Sequence, residues 1–387
     1  MKSPQLSTAQ NVFDFAIVGL GAVGSAALYN LSKFTSSVVG IDRFDPPHIL
    51  GSSHGETRIT RLAVGEGEDY VALAKRSHLL WEEIERQTGQ KLRVPCGGLL
   101  MDSGIQTWEK HGTEGFLNRT ISFAQRGNIQ HQVLKADEVK DNYTFFNLEN
   151  SGKAYLEKEA GYLFPEKCIQ AQLDLATRNG ASIRRNLPIL KIEEVEGVLK
   201  LDTANGPIFT KKVLISVGGW VKDFLPKVEQ KRFKICRQIL HWLEIEDASN
   251  WRDMPVFMWG FGPRPEDFVY GFPSLDGKSI KVATESFLET NHPDQIVREV
   301  SQSEQEAFWN EIISERIKGL TGKIIRSEVC FYTVTEDARF VIEPHSTLDQ
   351  VTMVSACSGH GFKHSAALGE YLADKMMGNI PSVPDFM

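Results

Sequence analysis

The sequence predicts an α/β chain: a Rossmann-like dinucleotide-binding domain assembled from separate stretches, joined to an α+β domain with a mainly antiparallel sheet. Three observations predict it. A strand, a glycine turn, a helix, a strand and an acid follow one another near the N-terminus. Buried-strand patterns recur mid-chain in KKVLISVGGWVKDFLP and at the end in VTMVSACSGHGFKHSAALGEYLADKMMGN. Between them, residues 231–286 read as antiparallel strands (RQILHWLEI, DFVYGFP and IKVATES) with a turn at Asp276-Gly277.

Taken in order, residues 12–19, VFDFAIVG, read as a buried strand, and Gly19, Gly21 and Gly24 form G-x-G-x-x-G at the start of a helix. Gly19 permits the tight turn, Gly21 lets the backbone approach a pyrophosphate, and Gly24 lets the helix close onto the strand. The next apolar run, SSVVGID, ends in Asp42, 18 residues after Gly24, placed to accept from a ribose hydroxyl. An ADP-containing cofactor is expected here, with its phosphates at the helix N-terminus.

A loop rich in Gly, Ser and His follows, with Arg58 and Arg61 three apart; alone, that spacing reads as a solvated helical face. Tyr70, Leu73, Leu80, Trp81 and Ile84 then mark an amphipathic helix that ends at Gly89. Residues 93–150 mix short strands with a long polar helix and carry no motif. A helix ended by Gly180 and strands over 183–203 come next, and two helical stretches are expected at 293–300 and 303–317. Gly378 reads as a helix C-cap. The cofactor domain is therefore discontinuous, with the antiparallel domain inserted twice.

Composition narrows the function. A net charge of −7 offers no field for nucleic acid and no polybasic stripe for a membrane. No apolar run reaches transmembrane length, and the N-terminus lacks the apolar region of a secretory signal. The five cysteines are odd in number and never form CxxC, so free thiols in a reducing, cytoplasmic compartment are expected, with no zinc site.

In GLGAVGSAA, PPHILGSSHGETRITRLAVGEGEDYV, GGWVKDFLP, YGFP, CFYTVTED and GHGFK, the chain resembles the monomeric sarcosine oxidase and N-methyltryptophan oxidase family of flavin amine oxidases, within the D-amino-acid-oxidase superfamily. The resemblance runs from about residue 13 to about 377, and GSSHGETR and SGHGFK are its most specific parts. It implies a discontinuous Rossmann-like FAD-binding domain (1–92, 153–226 and 322–387). An α+β substrate-binding domain with a mainly antiparallel sheet takes the rest (93–152 and 227–321).

The resemblance also assigns roles. Cys330 matches the cysteine bonded to the flavin 8α-methyl carbon, so FAD is expected to be covalently linked there. Arg61 and Lys363 match the pair that binds the substrate carboxylate. Arg58 and His54 match residues close to the flavin ring, Lys281 matches the lysine of the oxygen step, and Tyr270 and Tyr332 match active-site tyrosines. Arg43, Ser53, Gly359, Gly361 and Lys363 join Gly19, Gly21, Gly24 and Asp42 in the cofactor-binding set. Glu285 departs from the family, which has histidine at that place. On IKVATES it shares a face with Lys281, so it can attract a cation, pair with Lys281 or perturb that lysine's pKa. It points to a substrate with different or additional amine functionality.

The implied activity is oxidation of a secondary (N-methyl, N-alkyl or cyclic) amino acid by a monomeric enzyme. The imine formed hydrolyses to aldehyde and amine, and oxygen is reduced to hydrogen peroxide. A flavin-dependent dehydrogenase using another acceptor, a nicotinamide-dependent dehydrogenase, and a non-catalytic FAD-binding sensor or scaffold are the alternatives.

Overall fold

The structure, a computed structural model, describes residues 11–106, 108–110, 113–290, 292–381 and 383. The first ten residues and the last four, which fall within the ranges assigned to the FAD-binding domain, lie outside the described residues.

Among the described residues the larger strands form two sheets. An eight-stranded sheet runs Ser182–Arg184, Val38–Ile41, Val12–Val18, Ile208–Ile215, Val198–Thr203, Ile189–Val195, with Leu348–Ser355 also on Ile208–Ile215 and Val341–His345 beyond it. Its centre is parallel: Val12–Val18 lies between Val38–Ile41 and Ile208–Ile215, and Leu348–Ser355 joins the latter in parallel. Central parallel strands are buried on both faces, and Val38–Ile41 accordingly reads VVGI and is buried throughout. Helices Ala22–Ser32 and Ser365–Met377 pack across it. They meet at Gly369, where a Cβ would stand 2.3 Å from that of Ala26, so only glycine allows this approach.

The nine-stranded sheet is antiparallel except where Val256–Gly260 runs parallel to Gly98–Asp102. Its spine is Lys234–Ile245, which pairs with Ser279–Ala283 and with the long strand Leu320–Val334. Two segments allotted by sequence to the FAD-binding domain belong to this sheet: Lys153–Glu157 and residues 322–334. The long strand pairs with Lys234–Ile245 from Leu320 to Val334, with register shifts near Leu243 and unbroken register from Arg326 to Val334, carrying Cys330 and Tyr332 out of one layer to the border of the other.

Two local expectations are corrected. Arg58 lies on a short strand, Arg58–Thr60, paired with Gly161–Leu163, so the arginines do not share a helical face. Only Pro293–Gln295 is helical within 293–300. The carbonyls of Val297 and Glu299 accept instead from the Arg237 guanidinium, and Ile296 is buried against Trp220, Val329 and Phe331. The second stretch forms as helical turns over Gln302–Ala307 and Phe308–Ile313. No helix among the described residues is long and apolar enough to cross a membrane.

Candidate active site

A cavity of about 910 Å³ runs from the N-terminal glycine turn to the face of the antiparallel sheet. At one end, Gly19 leaves the strand at φ 89°, and a Cβ on Gly24 would stand 1.8 Å from the Gly19 carbonyl oxygen. A Cβ on Gly21 would meet nothing within 4 Å, so this backbone borders open cavity at the start of helix Ala22–Ser32. Asp42 lines the cavity, and its two oxygens accept from the amides of Leu20 and Phe44, both at 2.7 Å, bracing the glycine turn. Each oxygen keeps lone-pair capacity for a hydroxyl. Arg43 sits at the rim, paired with Asp294 at 2.8 Å and facing Trp220.

The middle of the cavity is framed by Ser53, Arg58, Cys330 and the loop 355–363. Glu166 holds the amides of Gly55 and Glu56 at 2.7 and 3.2 Å, and Glu157 holds those of Leu62 and Ala63 at 2.7 and 3.1 Å. These two carboxylates clamp the chain on either side of Arg58 and Arg61. Arg58 donates to the carbonyls of Thr57 and Ser52 at 2.9 and 2.8 Å. Gly359, at φ 78°, passes so close to Tyr332 that a Cβ would stand 2.9 Å from its ring, and one on Gly361 would meet the Ala356 carbonyl oxygen at 1.8 Å.

Gly24, His54 and Lys281 lie behind the cavity wall rather than on it. His54 is buried, and among the described residues neither ring nitrogen has a hydrogen-bond partner; Glu328 lies 3.7 Å from Nδ1. Burial holds its pKa below the usual histidine value. Lys281 is buried too, donating to the carbonyls of Gly55 and Thr57, each at 2.7 Å, over the Phe272 ring. Burial, with Arg58 nearby, pushes its pKa well below that of an ordinary lysine. Burial likewise raises the phenols of Tyr270 and Tyr332 and the thiol of Cys330, so all three are neutral near pH 7.

The other end carries two buried carboxylates, each paired with lysine or arginine. Arg61 donates from Nη2 to both oxygens of Glu66, at 3.0 and 2.8 Å, and from Nη1 to the Ala63 carbonyl, while Lys363 donates to the His360 carbonyl at 2.8 Å and stands 3.6 Å from the same carboxylate. Burial drops the Lys363 pKa to about 7, with Arg61 and Lys110 adding to the fall against the pull of Glu66. The second pair answers what Glu285 does: its Oε2 accepts from Lys110 at 2.6 Å, not from Lys281. Lys110 also lies 3.9 Å over the Phe268 ring.

Sequence reasoning missed Glu66 and Lys110. Glu66 stands inside a motif already singled out, RLAVGEGEDYV, where a buried arginine five residues away was the available signal. Lys110 falls in a stretch with no motif, and its partner is 175 residues away, so no local pattern exposes it. No group of residues able to hold a metal ion occurs among the described residues.

The residues fit FAD: an open backbone at a helix N-terminus, an acid beside it and a cysteine on the wall. Comparison agrees. The FAD dependent oxidoreductase (DAO) family matches residues 14–375. Monomeric sarcosine oxidase of Bacillus sp. (strain NS-129) is 33% identical over 365 residues, covering 93% of this chain and 92% of that protein. N-methyl-L-tryptophan oxidase of Yersinia pestis (strain Pestoides F) is 31% identical over 369 residues, covering 93% and 94%. Among solved structures, the open form of NikD, an unusual amino acid oxidase essential for nikkomycin biosynthesis, has the same fold with a TM-score of 0.81. It is 16% identical and covers 97% of this chain and 96% of that one.

Proposed function

The chain belongs to the FAD dependent oxidoreductase family, and from that membership we propose that it oxidises a secondary amino acid at its α C–N bond, with oxygen as acceptor. The observation that carries this reading is the closing of Arg61 and Lys363 on one carboxylate, that of Glu66, in the cavity that Cys330 and Tyr332 line. Two cations that converge in a nearly dry wall, with Glu66 kept between them, can take the substrate's carboxylate as well. Sarcosine oxidase and N-methyl-L-tryptophan oxidase are the relatives whose names carry the same substrate class.

FAD bound there supplies the two-electron acceptor for a hydride equivalent from the substrate. The chain's own residues do the rest. Arg61 and Lys363 hold the carboxylate, which sets the position of the amine. The neutral phenols of Tyr270 and Tyr332, with Phe268 and Met258, line the wall and exclude water. Arg58, with Lys363 when protonated, adds positive charge beside the amine, which favours its neutral, reactive form. Lys281, buried behind Arg58 and held by the Gly55 and Thr57 carbonyls, is the lysine assigned to the oxygen step. The products are the imine, which water hydrolyses, and hydrogen peroxide. Covalent attachment of FAD through Cys330 and action as a monomer in the cytoplasm belong to the same proposal.

Purified protein given N-methyl amino acids under air tests the acceptor. Peroxide equal to the substrate consumed is expected. Turnover that appears only with an added dye makes the chain a dehydrogenase instead. The pH response of the carboxylate site is a second check. Lys363 binds an anion only when protonated, and its pKa is about 7, lowered chiefly by burial. Acetate, a probe with no amine, should therefore bind most tightly below pH 7 and progressively more weakly above it. In Lys363→Met the slope should flatten, as read from the flavin spectrum.

A further inference from the structure

We propose that the buried Lys110–Glu285 ion pair recognises the substrate's side chain, and that the side chain it takes is neutral with both a donor and an acceptor, as in a carboxamide. This rests on the reading of the site as that of a secondary amino-acid oxidase and names its substrate class.

The pair is part of the cavity wall. The two side chains are 5% and 6% exposed and touch at 2.6 Å. They share the wall with Arg61, Lys363 and Tyr332, so a substrate whose carboxylate lies on Arg61 and Lys363 has them within the same chamber. Both ends keep capacity. The ammonium has three protons and spends one on Glu285. Oε1 of Glu285 has no hydrogen bond among the described residues and faces the Gly359 backbone, where a Cβ would come within 3.3 Å. Lys110 is also held in place. Its neighbour Trp108 is buried, packed on Phe268 and Phe116, and lies so close to Gly260 that a Cβ there would stand 2.0 Å from the indole.

Charge decides what such a pair accepts. Glu285 would draw a second ammonium on the substrate, as its place in the sequence suggests, but its charge is already met by Lys110. A new cation would have to displace that lysine and leave it unpaired in a buried wall. A second carboxylate meets the mirror problem: it gains Lys110 only by stranding Glu285. An aliphatic or aromatic side chain covers both charges and returns no hydrogen bond. A carboxamide accepts from Lys110 and donates to Glu285 with the pair intact. The same carboxylate that departs from the family histidine therefore selects polarity without net charge.

The test is a panel of N-methyl amino acids read as kcat/KM: the asparagine and glutamine derivatives against those of leucine, glutamate and lysine. The better carboxamide should exceed the leucine derivative about 10- to 100-fold, the value of one or two hydrogen bonds to charged groups, and should exceed both charged derivatives. Lys110→Met should shift preference toward the lysine derivative, Glu285→Met toward the glutamate derivative, and the double methionine variant should bring the carboxamide/leucine ratio near one. A wild-type preference for the leucine, glutamate or lysine derivative overturns the proposal, whether or not the variants fold. Anaerobic calorimetry with the same panel separates the two claims. Selective binding of the carboxamide without turnover keeps this inference and rejects the oxidase; turnover without selectivity does the reverse.

Discussion

Cys330→Ser should release its yellow colour into the supernatant on acid precipitation, while Cys357→Ser should keep it in the pellet. Both thiols line the cavity and both are raised by burial, so position alone does not choose between them. Nor do their electrostatic surroundings: Arg58, Lys281 and Arg298 oppose the rise at Cys330, and the amides of Gly359 and Thr333, Arg58 and Ser52 oppose it at Cys357. The Cys357 sulfur accepts the Thr333 amide at 3.4 Å, which ties the loop to the strand. The match of VCFYT to the family's flavin-linking motif is what selects Cys330. Retention of colour in the Cys330→Ser pellet would move the linkage elsewhere.

Arg61→Met should lower kcat/KM about 100- to 1,000-fold, mostly through KM. The guanidinium makes two hydrogen bonds to one carboxylate in a wall where both side chains are nearly inaccessible, 6% and 4% exposed. Truncating one partner of such a pair costs about 2–5 kcal/mol, and each 1.4 kcal/mol is tenfold. The substrate loses one of its two cations, and Glu66 keeps Lys363 at 3.6 Å. Lys363→Met should cost less, since Lys363 stands farther from the carboxylate and is half deprotonated near pH 7. Arg61→Lys should recover little, because a single ammonium nitrogen cannot serve both the carboxylate, which takes Nη2, and the Ala63 carbonyl, which takes Nη1. Equal losses in Arg61→Met and Lys363→Met would contradict this ranking. Intact flavin absorbance and an unchanged melting temperature in each variant separate lost binding from lost folding.

The cofactor end of the molecule was legible in the sequence because its constraints are local. Gly19 and Gly24 mark a turn whose geometry only glycine allows, and the buried run VVGI marks a central parallel strand. The substrate end was less so. Arg58 and Arg61 are spaced for a helix, yet Arg58 pairs in a short strand set by Gly161–Leu163, a hundred residues on. Glu285 and Lys281 share a strand face by periodicity, but the strand ends at Ala283. From there Glu285 reaches Lys110, while Lys281 turns to the carbonyls of Gly55 and Thr57. Partner choice among buried charges depends on which chains meet in space, and a periodic pattern does not carry that.

The reading as a whole rests on a secondary amino acid giving its electrons to a flavin in this cavity. Anaerobic mixing of the purified yellow protein with an N-methyl amino acid measures that directly. Bleaching of the flavin by the substrate, and recovery of the colour with one peroxide per flavin when air is admitted, is what the arrangement of Arg61, Lys363 and Cys330 leads us to expect. A protein that purifies colourless, or one whose flavin stays oxidised with every N-methyl and cyclic amino acid offered, would contradict it.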